Sequence, residues 1–153
     1  MKMIIPAALI AAVIGAPALA GTMNQAMNHT MNHDGGRKLM TSLSGAMEVP
    51  GPGDVDGTGM FHGTINPGQT KVCYTLSVAK IATATMAHVH RGASGVAGPP
   101  VITLEAPVSG SSKACATITR ALAKEIMQDP AGFYVNVHNA AYPAGAVRGQ
   151  LIK

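Results

Sequence analysis

The chain has no tryptophan, two phenylalanines and three tyrosines, and only 12% of its residues are charged. These shortages exclude several functions. The basic residues are scattered and have no aromatics between them, so the net charge of +4 gives nucleic-acid binding no footing. No amphipathic basic helix is present to hold the chain against a membrane surface. Cysteine is also scarce. The two that occur, Cys73 and Cys115, form no CxxC pair. In an oxidising compartment an even count favours one disulfide. Closing a loop of about forty residues would stabilise the fold by roughly 3–4 kcal/mol in the chain-entropy account. A thiolate metal ligand is the competing reading.

Only one long apolar run occurs, residues 4–14 (IIPAALIAAVI), with Lys2 before it and Gly15, Pro17 and Ala18-Leu19-Ala20 after it. It is too short to cross a bilayer comfortably and ends in a small-x-small pattern. Residues 1–20 therefore read as a cleavable secretory signal, with an uncleaved anchor as the alternative. No cysteine follows the cleavage point, which argues against a lipoprotein. The remainder has the size of one domain, expected to be soluble and periplasmic or secreted.

Residues 21–38 (GTMNQAMNHTMNHDGGRK) hold no aliphatic side chain larger than Met apart from Ala, so they read as a flexible tail that buries no core. From Leu39 onward, short alternating segments are separated by Gly, Pro, Asn and Asp. Val72, Tyr74, Leu76 and Val78 alternate with Cys73, Thr75 and Ser77. The same period of two recurs over 86–90, 134–138 and 146–151, the mark of half-buried strands. One helix is expected over 120–128, capped by Thr119 and ended by Asp129-Pro130. The domain over 39–153 is thus expected to be all-β, an antiparallel Greek-key-like sandwich or barrel with one short helix.

Strand parity points to chemistry. If Val89, Val135 and Val137 face the core, then His88, His90 and His138 share the opposite face. Two imidazoles at i and i+2 lie about 6–7 Å apart along a strand, and a third from a neighbouring strand completes a three-nitrogen metal site. Met86, Asn136 and Arg148 have the same outward parity. Met86 is a candidate soft ligand, while Arg148 and Asn136 stand behind the ligands. Ordinary surface histidines are the competing reading.

The tail favours copper among the metals. Met23, Met27 and Met31 recur every four residues, and Met-Asn-His occurs twice, ending at His29 and His33. Thioethers suit Cu(I), and imidazoles accept Cu(I) or Cu(II). The segment reads either as a copper-collecting tail or as a low-complexity linker. Mature residue three would be Met23, so the amino-terminal histidine copper motif is absent. The same imidazole nitrogens accept zinc or nickel.

Residues 43–50 (LSGAMEVP), 88–98 (HVHRGASGVAG), 134–138 (YVNVH) and 143–151 (PAGAVRGQL) resemble successive motifs of the CHRD domain. That family is named after chordin and is common in bacterial secreted proteins. The resemblance covers about residues 39–153. It implies a β-sandwich and an extracytoplasmic location without fixing one activity. Glu48 and Pro50 belong to its pattern, with Glu48 expected as a buried or capping carboxylate and a ligand role as the alternative. The His-Val-His pair, the later His and the Arg near the C-terminus also resemble the copper site of copper/zinc superoxide dismutase. Carried over, that likeness makes His88, His90 and His138 copper ligands and Arg148 a guiding residue. The loop after His90 (RGASGVAGPP) has no His, Asp or Glu, so the zinc site of that enzyme is missing. His62 is the one further histidine in the domain and the candidate fourth ligand.

The function expected is that of an exported copper-binding protein for tolerance, storage or transfer. Its partners would be copper ions and another periplasmic copper protein. The alternatives are a copper-only dismutase-like enzyme and a metal-free adhesion or partner-binding module.

Overall fold

The computed structural model describes residues 35–153. The expected signal over 1–20 and the tail residues Met23, Met27, His29, Met31 and His33 lie outside the described residues. Eight strands follow: β1 (Arg37–Ser44), β2 (Thr58–Ile65), β3 (Lys71–Ala79), β4 (Ala84–Arg91), β5 (Pro100–Leu104), β6 (Ser111–Thr117), β7 (Phe133–Asn139) and β8 (Val147–Gln150). One α-helix, α1 (Arg120–Gln128), occurs among the described residues.

All ladders are antiparallel, and the strands form one sheet in the order β5-β4-β7-β8-β1-β2-β3-β6. The end strands β5 and β6 are consecutive in the chain and touch each other, so the sheet curls into a nearly closed barrel. Strands β4, β5 and β6 succeed one another, and β7 returns through α1 to lie beside β4. That is a Greek-key connection, as expected.

Parity fills the barrel. In β3, Val72, Tyr74 and Leu76 are buried while Cys73 and Thr75 are exposed. Phe61, Leu76, Val89, Val135, Val137, Val147 and Leu151 join one apolar cluster, and each side chain so buried contributes about 1.5–3 kcal/mol. Cys73 faces Cys115 across the β3–β6 ladder and is disulfide-bonded to it at 2.04 Å. The thiolate alternative is thereby removed, and the bond ties the end strand β6 to its neighbour. Such a bond belongs to an oxidising, non-cytoplasmic setting.

Helix α1 starts where expected because the Thr119 hydroxyl accepts a hydrogen bond from the Leu122 amide at 3.2 Å. Ala123 and Ile126, three residues apart and so on one face, are buried in the core cluster. Asp129 caps the other end and Pro130 prevents continuation.

Two features depart from expectation. Strand β1 begins at Arg37, within the segment expected to be tail, because Arg37 and Lys38 pair with Ile65 and Thr64. Backbone pairing holds these residues although their side chains bury little. Strands β7 and β8 lose the outward exposure that period two implies: every residue of β7 is buried, and Arg148 of β8 is 2% exposed. The outer face there is covered by the loops that follow β1, β4 and β7.

Candidate metal centre

The β4–β7 ladder sets Met86 opposite His138, His88 opposite Asn136 and His90 opposite Tyr134. Residues directly opposite in an antiparallel pair share a face, so all six lie on the outer side of the barrel. Three of them converge. One ligand atom from each of His88, His90 and His138 lies within 4.8 Å of the others. Nitrogens around a metal at about 2.0–2.1 Å are roughly 3.3–3.6 Å apart, so modest ring rotations close the set around an ion.

The partners of the rings fix their tautomers. His90 Nδ1 donates to the Gly98 carbonyl at 2.8 Å, and His138 Nδ1 donates to the Pro143 carbonyl at 3.0 Å. Each ring therefore turns its Nε2 lone pair toward the cluster. His90 Nε2 is buried and has no hydrogen-bond partner. A buried acceptor left bare is a cost unless something binds it. His138 Nε2 lies 3.2 Å from His88 Nδ1, which donates to it. Backbone carbonyls orienting the far nitrogen of a ligand histidine are a recurring outer shell of metal sites.

Electrostatics keeps the rings neutral. Burial lowers the pKa of all three below the ordinary imidazole value, and the neighbouring histidines His138 and His90 push His88 down further. For His90 burial acts first, the Gly98 carbonyl opposes it, and the Arg148 charge adds to it. Neutral imidazoles are the form that binds a metal.

Behind the rings lies a polar layer. The Tyr134 ring stacks on His90 with centroids 4.8 Å apart, and the Arg148 guanidinium carbon sits 3.4 Å over the Tyr134 centroid. Arg148 also donates to the Ala93 and Val96 carbonyls, both at 3.0 Å, holding the loop that carries Gly98. Asn136 donates through Nδ2 to both Glu48 oxygens, at 2.8 and 2.9 Å. Glu48 is 8% exposed, and its burial pushes the carboxyl pKa up to about 7 against the pull of Asn136 and Arg148. Gly145, at φ +153, lets the backbone approach this pair, where a Cβ would collide with Glu48 and Asn136.

The residues expected at the site therefore divide. His88, His90 and His138 come together. Met86 stands beside them in register with His138 and is 49% exposed. Asn136 and Arg148 lie behind them, buried beneath loops and not facing solvent. His62 does not join them. It projects outward from β2, four strand steps from β4, or about 19 Å along the sheet. Tyr134 and the carbonyls of Gly98 and Pro143 were not foreseen. Tyr134 shares the parity of Asn136 and His138, a signal that marks it as facing the site.

The model of the CHRD domain family matches residues 39–151. No curated protein and no solved structure matches the chain, so the likeness to superoxide dismutase rests on the histidine motif and the Arg alone. With the four sequence motifs and the family match covering nearly the whole barrel, the chain belongs to the CHRD domain family.

Proposed function

We propose that this chain is an exported copper-binding protein that holds one ion at His88, His90 and His138. The observation that carries the reading is the bare, buried Nε2 of His90 in a three-histidine cluster where backbone carbonyls hold the Nδ1 of His90 and of His138. The donor set is three neutral nitrogens with no carboxylate or thiolate among them. Such a set binds Cu(I), Cu(II) or zinc, and the Met/His composition of residues 21–38 favours copper. His88 is only partly buried, which leaves a side open for exchange of the ion with a partner. Tolerance, storage or transfer of copper in the periplasm, or outside the cell, fits this arrangement. The placement of Arg148 supports binding over turnover. Its guanidinium is engaged by two carbonyls and a ring beneath a loop, not presented to an incoming anion.

Metal analysis of protein purified from its native compartment tests the reading. Copper near one equivalent or above, together with a copper-dependent rise in melting temperature, is the expected result, since ligand at a hundred times its Kd adds about 2.7 kcal/mol. Metal-free protein whose melting is indifferent to copper would instead favour an adhesion or partner-binding module.

A further inference from the structure

The outer face of β1 and β2 carries a second group of metal-binding side chains that the three-histidine centre does not use. Met40, Ser42, Met60 and His62 all point away from the core, as the alternation of buried and exposed residues in both strands requires. The ladder sets Met40 directly opposite His62 and Ser42 directly opposite Met60. Directly opposite side chains have Cβ atoms about 4.5–5.5 Å apart, and diagonal neighbours at about 7–8 Å remain within reach of long side chains. Methionine, with three rotatable bonds, closes such a gap easily. The Ser42 hydroxyl lies 3.8 Å from the Met60 sulfur and donates to it, so that thioether is drawn over β1, the strand of Met40. Both methionines are more than a third exposed, at 37% and 38%. Apolar side chains left in water side by side do nothing for the core.

We propose that Met40, Met60 and His62 form a second, surface site for a soft monovalent cation, Cu(I). Two thioethers and one imidazole are a donor set that selects Cu(I) over zinc or hard cations. The site holds its ion in the open, on a different face of the barrel from the three-histidine centre. It suits an ion exchanged between proteins more than a stored one. The inference shares the copper chemistry of the proposed function but rests on different residues. It also gives His62 a role that its distance from β4 denies it at the first centre.

The test uses the full chain labelled with 13C at the methionine methyls, titrated with Ag(I) as a redox-inert probe for Cu(I). The methyl signals of Met40 and Met60 are expected to move together, at the same added equivalent as the His62 ring. In His62→Ala that joint movement is expected at ligand concentrations at least about tenfold higher, since even an outer-shell change costs roughly that much. In a parallel competition with a Cu(I) chelator, Met40→Leu/Met60→Leu retains one equivalent fewer than the parent. Met47→Leu, at another exposed methionine, retains the same number as the parent. Leucine keeps the apolar bulk, so the barrel is left intact. Methyls of Met40 and Met60 that stay put while Ag(I) saturates other sites would overturn the proposal, as would an unchanged Cu(I) count in the double leucine variant. Neither the Met40 and Met60 methyl shifts nor the one-equivalent difference between parent and double variant depends on His88, His90 or His138, so failure here and failure of the first centre are separately visible.

Discussion

His88 Nδ1 lies 3.2 Å from His138 Nε2, and because His138 Nδ1 is committed to the Pro143 carbonyl, the proton between the two rings belongs to His88. A metal bound by both nitrogens must displace that proton. His88 then carries its hydrogen on Nε2 instead, while His90 and His138 keep theirs on Nδ1. Nitrogen-15 NMR of the imidazoles, metal-free and loaded with diamagnetic Cu(I), should show a tautomer reversal at His88 alone. Reversal at His90 or His138 would mean that the carbonyl contacts do not set the ligand geometry.

The lowered pKa values of the three histidines make the metal-free fold sensitive to acid. Above 6.5 the rings are neutral in both folded and unfolded chains, and their contribution to stability is fully present. As pH falls below 6.5 the unfolded chain takes up protons that the folded one resists, so stability drops until the folded-state values are passed. Ring titrations followed by NMR in chelator should all lie below 6.5. With Glu48→Gln in place, so that this carboxyl no longer titrates, unfolding free energy should fall from pH 7 toward pH 5.

Glu48 works in the opposite direction. Its carboxyl titrates near 7 in the fold against an ordinary 4.5, so the folded state holds a proton that the unfolded state releases between those values. Stability from this group is complete below 4.5 and is lost as pH rises through about 7. Glu48→Gln removes the effect. Relative to the parent, the variant should gain roughly 1–3 kcal/mol between pH 5 and pH 8 in denaturant titrations. A constant difference across that range would show that Glu48 has its ordinary pKa.

Arg148 holds the loop over the site through two hydrogen bonds from one terminal nitrogen, a stack and a fully buried stem. Lysine keeps the charge but loses the planar stack on Tyr134. Arg148→Lys should cost about 2–3 kcal/mol of stability. It should also weaken copper binding by roughly 10–100-fold, because Gly98, which orients His90, lies in the loop that Arg148 holds. Loss of stability with unchanged copper affinity would assign Arg148 to the fold alone.

Period two was enough to place β3, β4, β7 and β8 and to bring His88, His90 and His138 to one face, because strand geometry converts spacing directly into direction. The Thr119 cap and Asp129-Pro130 likewise marked α1 without tertiary information. What could not be read was which strands are neighbours. His62 has the right parity but the wrong strand, and only the order β4-β7-β8-β1-β2 separates it from the other histidines. Burial of the outer face was equally hidden. Alternation predicts that Asn136 and Arg148 meet solvent, and it carries no information about loops such as 92–98 folding back over them. The carbonyls of Gly98 and Pro143 that fix the tautomers belong to the backbone of those loops, where side-chain pattern is silent.

Copper binding at the three histidines is measured by titrating the chain in which Met23, Met27 and Met31 are leucine and His29 and His33 are alanine, with and without His90→Ala. A tight site is expected in the parent background, with a loss of at least about a hundredfold in its affinity when His90 is removed, more than an outer-shell change would cost. Equal copper binding with and without His90 would contradict that expectation.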